Sequence, residues 1–179
     1  GRYDYFSTME GGNNNTRAFY PSVGLSGLLS DILPVNKDVL SFLKIRTSYA
    51  MVGNPLPIYV TRNYYKPGGA PTPGQFAPAI DVNEEKTKAF EIGTDIKLLQ
   101  NKIDLRFTYY NTNTENQLLQ YNTSPATGSY SRFINAGKVN NWGIELSLGY
   151  EQKLGPVDWY PPLTYTLNRN KIKELPKQV

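Results

Sequence analysis

Two groups of side chains in this sequence have the type and spacing to do chemistry. The first is acidic: Glu84 adjoins Glu85, and Glu91 stands four residues before Asp95. Two carboxylates flanking a glycosidic bond can hydrolyse it, and the retaining enzymes hold them about 5 Å apart. On a strand, Glu91 and Asp95 share a face but lie too far apart for that closely spaced pair. Nothing around either group marks a carboxyl kept protonated, so no catalytic residue is expected. His and Cys are both absent. That removes the commonest general base, the thiolate ligands and any disulfide framework. No metal site or cofactor is expected.

The second group is aromatic. Tyr64, Tyr65, Phe76, Tyr121, Tyr130 and Phe133 fall in two long stretches rich in Pro, Gly and Asn. Aromatic faces stack on sugar rings, and loops held on a rigid scaffold often bind ligand. These six are the candidate ligand-binding residues. The competing reading is that they pack between loops or against a capping partner.

The elements that position them show a period of two. From Trp142 every second residue is large: Trp142, Ile144, Leu146, Leu148 and Tyr150, with Gly143, Glu145, Ser147 and Gly149 between. Such alternation puts the two sets on opposite faces of a strand. The same pattern predicts strands from Phe19, over 43–51, over 89–99, over 103–113 and over 159–168. Residues 100–102 read as a tight turn, 6–17 as a polar loop, and 30–42 as a connection with a helical turn broken at Pro34. Residues after Asn170 read as the base of a loop. Full charges (Lys44, Arg46, Glu91, Asp95, Lys97, Asp104, Arg106, Glu145) sit mid-strand on the face opposite the apolar one. They either line a polar path or pair across strands. The connections alternate in length, with long outer loops near 54–85 and 114–140. A short strand is expected at 117–121, and no strand longer than 57–65 in the first loop.

The 179 residues suffice for one domain. Aromatics reach 13%, with 14 Tyr, and no apolar run approaches the length of a transmembrane helix. A β-barrel is not excluded by that, because its apolar residues are interleaved with polar ones. The +4 charge is scattered, so no nucleic-acid partner is expected. A soluble glycan-binding β-sandwich, secreted or periplasmic, would also alternate. Three features favour a barrel wall: strands longer than sandwich strands, long loops on one side, and aromatics ending the apolar faces (Tyr49, Tyr109, Trp142, Tyr150, Trp159). About six spanning strands cannot close alone, since the smallest outer-membrane barrels use about eight.

Particular residues then resemble a known family. Phe19, Tyr20, Pro21, Ser22, Val23 is similar to the barrel strands of SusC/RagA-family TonB-dependent outer-membrane transporters. So are Leu43 to Asn54, Lys86 to Asp95, Thr108 to Asn111, and Asn135, Ala136, Gly137 followed by Gly143, Ile144, Glu145, Leu146. The order and spacing match over roughly 19–150. The resemblance implies an all-β fold: an antiparallel transmembrane β-barrel segment of a 22-stranded barrel with an internal plug. It also implies import of glycans or peptides across the outer membrane of Bacteroidetes. The partners implied are a SusD-like surface lipoprotein, TonB and outer-membrane lipid. Residues 1–179 are then expected to be part of one barrel domain, with no signal peptide and no plug domain in this chain. TonB would be contacted through an N-terminal region that the chain lacks.

Overall fold

The computed structural model describes residues 1–7, 16–55, 74–77, 83–122, 124, 126, 129–135 and 137–174. The expected strand at 57–65 lies outside them. The chain opens with a hairpin of β1 (Arg2–Tyr5) and β2 (Arg17–Tyr20), paired antiparallel. The strand expected from Phe19 is interrupted at Pro21, which has no N–H to donate. Beyond it β3 (Ser22–Leu28) begins. A single turn of helix, α1 (Leu29–Ile32), follows and stops at Leu33, whose backbone is extended (φ −87°, ψ 140°) as the residue before Pro34 must be.

β4 (Leu40–Asn54) starts three residues earlier than the alternation suggested. After it come β5 (Gly74–Ala77), β6 (Glu85–Leu98) and β7 (Ile103–Glu115). Between the last two, Leu99, Gln100 and Asn101 take left-handed backbone conformations (φ 52°, 56° and 70°). The turn therefore reverses the chain in four residues, from Leu98 to Ile103. β8 (Leu118–Asn122), β9 (Ser129–Asn135) and β10 (Lys138–Tyr150) continue the chain. β11 (Gln152–Leu154) and β12 (Val157–Trp159) form a small hairpin, and β13 (Pro162–Glu174) ends the chain's described part. Two expectations are corrected here. Trp159 stands in β12, off the main sheet, because Tyr160 and Pro161 separate it from β13. The residues after Asn170 are strand, held by pairing Lys171 to Asn140 and Ile172 to Val139.

Six strands make one antiparallel sheet in the order β13-β10-β7-β6-β4-β3, which is the chain order of a meander. Residues paired across an antiparallel ladder share a face, so the register assembles whole rows. One face carries Leu43, Ile96, Leu105, Leu148 and Leu163 in one row, then Ile45, Thr94, Phe107, Leu146 and Tyr165 in the next. Two rows further, Tyr49, Phe90 and Trp142 align; at the opposite end Tyr150 faces Ile103. The other face holds Ser, Thr, Gly and the charges.

Among the described residues no apolar core forms on either face. The only buried hydrophobic residues among those described are Ala18 and Tyr20, both in β2. Ile92 and Leu148, in mid-sheet, remain 40% and 37% exposed. The total accessible area is 12563 Å². A compact monomer of 20.2 kDa would expose about 8,800 Å². A sandwich would have buried Ile144, Leu146 and Leu148 against a second sheet. Among the described residues no such sheet exists.

Candidate ligand-facing surfaces

At one end of the wall, β4 hands over to β6 through residues 55–84, and β7 to β10 through 116–137. The two excursions join. β5 pairs parallel with β9, and β8 pairs antiparallel with β9, giving a three-stranded canopy in the order β5-β9-β8. Parallel neighbours require a long connection, and the intervening β6, β7 and β8 supply it. A side chain of the canopy ties the feet of the two excursions together. Asn135 accepts from the Asn83 N–H (2.6 Å) and donates to the Asn83 carbonyl (2.8 Å). It also donates to the Asn116 carbonyl (2.8 Å). Its amide thus imitates a peptide unit and ties the base of one excursion to both ends of the other.

Of the six candidate aromatics, the canopy gathers four. Phe76 is on β5, Tyr121 on β8, and Tyr130 and Phe133 on β9, where Phe76 pairs with Ser131 and Tyr121 with Arg132. Tyr121 is exposed. Tyr64 and Tyr65 lie outside the described residues. Asn135 had drawn notice in the sequence only as part of the stretch, with Ala136 and Gly137, that resembles a known family; its clasp is a long-range contact that no local pattern encodes.

The polar face carries an ordered charge arrangement. Arg46 donates to Glu91 Oε1 (3.1 Å) and to Thr108 Oγ1 (2.7 Å), crossing β6 to reach β7. Gly93 lies opposite Arg46 in register, and a Cβ there would come within 2.8 Å of the guanidinium Nε. Glycine at this position is what lets Arg46 lie flat on the sheet. Gly143 likewise leaves room for the Tyr110 ring. Arg106 grips Asp104 with two bonds of 3.1 and 3.0 Å. Lys44, Asp95, Lys97 and Glu145 form no ion pair among the described residues. Glu91 is therefore an acceptor in a strand-crossing network, and its distance in sequence from Asp95 is a distance along β6.

A small buried cluster stands beyond the wall where the β1–β2 hairpin meets the first excursion. Tyr20 and Glu84 are 2% and 1% exposed. Arg2 lies over the Tyr20 ring at 5.6 Å, and Lys86 reaches Glu84 at 2.9 Å. Among the described residues the Tyr20 hydroxyl has no hydrogen-bond partner. Its pKa is raised from the ordinary 10.0 by burial first, then by the carboxylates of Glu84 and Asp4. Arg2 opposes that shift. Tyr20 packs where a side chain on Gly53 would stand.

This architecture is shared. A family model described as TonB dependent receptor-like, beta-barrel, matches residues 1–177. TonB-dependent receptor P3 of Formosa agariphila is 25% identical over 174 residues, covering 91% of this chain and 17% of that protein. TonB-dependent receptor P26 of the same organism is 25% identical over 186 residues, covering 98% and 19%. The chain thus spans less than a fifth of the curated relatives it matches. The RagAB peptide importer in its closed-closed state superposes with a TM-score of 0.79 at 23% identity, over 95% of this chain and 20% of that one. Its open-open state gives 0.76 over 93% and 19%.

Proposed function

The chain belongs to the TonB-dependent receptor-like β-barrel family, and from that premise we propose that residues 1–179 are part of the wall and outer loops of an outer-membrane importer. The observation that carries this reading is the uncovered apolar face. Its five rows, from Leu98, Ile103 and Tyr150 up to Tyr49, Phe90 and Trp142, span eight residue steps along β6. At about 3.4 Å per residue and a tilt of about 40° they rise about 21 Å, close to the ~25 Å apolar band of such barrels. Aromatic rings bound the band at both ends, as they do at membrane interfaces. A soluble fold would have to hide this face, and an open sheet in lipid would expose unpaired edges. The six strands are therefore read as one sector of a larger closed barrel, with β3 and β13 continued by further strands.

The polar face then looks inward, where Arg46, Glu91 and Thr108 brace the wall against a plug. The canopy lies outside the cell. Its aromatics suit the faces of sugar rings, so the cargo is a glycan, with a peptide as the alternative favoured by the RagAB likeness. A SusD-like surface lipoprotein would cover the canopy. TonB would supply energy through a region outside these residues.

The test uses the full-length protein in its own outer membrane. Excursions 55–84 and 116–137 are replaced together by short turns. Uptake of labelled oligosaccharides and of labelled peptides is then measured. The expected outcome is an assembled, heat-resistant barrel that has lost uptake of one cargo class. Recovery of the protein in the soluble fraction would overturn the wall assignment. Undiminished uptake of both classes would overturn the role of the canopy.

A further inference from the structure

We propose that Tyr110 is a stacking platform for a neutral pyranose ring on the inner surface of the wall. This site deepens the import function proposed above and rests on it, taking the polar face as the lumen and the long excursions as its outer mouth. Tyr110 lies on β7, opposite Glu91 of β6 and Gly143 of β10 in register. Neighbouring strands stand about 4.8 Å apart. A Cβ on Gly143 would nonetheless run into the Tyr110 hydroxyl and its ring carbon Cζ. A ring standing upright would hold that hydroxyl above its own strand. This ring has crossed to β10 and lies along the sheet, one face against Gly143 and the other toward the lumen. Gly143 is accordingly buried, while Glu145, two residues on along the same face, is exposed.

Fixed polar groups edge the ring. Arg46 donates to Glu91 Oε1 (3.1 Å) and to Thr108 Oγ1 (2.7 Å). The Arg46 and Glu91 side chains stay 42% and 43% exposed. A flat aromatic face with hydrogen-bonding groups at its border fits a pyranose, whose C–H face stacks while its equatorial hydroxyls bond sideways. Charge narrows the class. The row of Tyr110 and the row of Thr108 hold three charged residues, Arg46, Glu91 and Glu145. The first two cancel and the third leaves the site negative, which disfavours anionic sugars. Height fits as well. Trp142, next to Gly143, stands in the aromatic row that ends the apolar band, so the ring lies level with the outer interface and one row nearer the excursions than Thr108. All these groups stand on interior strands of the sheet. Tyr160 covers Gly149 in the same manner at the short-turn end, six residues along β10 and about 20 Å away.

The test is hydroxyl-radical footprinting of the full-length protein in detergent, read residue by residue by mass spectrometry. The probes are cellohexaose, laminarihexaose and maltohexaose, with hexagalacturonic acid as their anionic counterpart. At least one neutral hexaose is expected to protect Tyr110 and leave Tyr160 as reactive as before; the acid should protect neither. This footprint needs no variant to fold. Calorimetry then gives affinities. Tyr110→Leu covers Gly143 without a ring and should weaken binding of the protecting hexaose about tenfold, whereas Tyr110→Phe should keep most of the affinity. Protection by the acid, no protection of Tyr110 by any neutral hexaose, or unaltered affinity in Tyr110→Leu would each overturn the platform and leave the importer standing. Binding of labelled peptides while no hexaose binds would overturn the glycan cargo proposed above and the platform with it.

Discussion

Asn135 is the residue on which the geometry of the canopy turns. Its three hydrogen bonds satisfy backbone groups of both Asn83 and Asn116. Replacing it with Ala leaves those groups to water and is expected to cost about 1–2 kcal/mol locally. Faster amide exchange in β5 and β9 with an unchanged wall would be the signature. Asp at this position keeps the acceptor but loses both donations, so it should rescue little. Tyr20 offers a pH-dependent test. Its raised pKa means the folded state favours the neutral phenol. That stability is fully present below the ordinary value near 10, and is lost as pH rises through the raised value. Tyr20→Phe should remove this alkaline loosening of the β1–β2 hairpin without harm at neutral pH, because among the described residues the hydroxyl has no partner to lose. Phenolate absorbance measured against pH, wild type minus variant, reads the transition directly.

At the scale of the strand, the two faces should respond oppositely to charge. Tyr165 lies in the third of the five apolar rows, and the next residue, Thr166, faces Glu145 in register. Tyr165→Arg puts a cation near mid-membrane and should cost about 2–4 kcal/mol. Thr166→Arg meets a carboxylate and should be neutral or slightly stabilising. Urea unfolding of the full-length protein in lipid vesicles measures both, and equal costs would contradict the face assignment. This alternation is also what made the wall legible. In β4, β6, β7 and β10 a period of two, with charge on one side only, marks strand and face together. Boundaries were less legible. Beyond Asn170, polar residues stand on both sides of the ribbon, so the pattern vanishes while the ladder continues to Glu174. Pro21 hid a break because Phe19 and Val23 keep the alternation going across it. The canopy strands are short, and β5 finds its partner more than fifty residues away; local periodicity carries no trace of such pairing.

For the molecule as a whole, the lack of an apolar core among the described residues sets the expectation. Expressed alone, these 179 residues should need detergent or lipid and show no cooperative melt, since among the described residues β2 alone supplies buried apolar side chains. Circular dichroism against temperature, in buffer and in detergent, would check this. A sharp transition in buffer would restore the soluble alternative. The parallel pairing of β5 with β9 has a last consequence, for how the chain tolerates being cut. The backbone bonds between these strands stitch together residues on either side of β6, β7 and β8. A protease nick between β8 and β9 would sever the covalent thread yet leave both fragments fastened along three ladders, β5 to β9, β8 to β9 and β7 to β10. A gene divided at that point should therefore yield halves that find each other and rebuild the same surface.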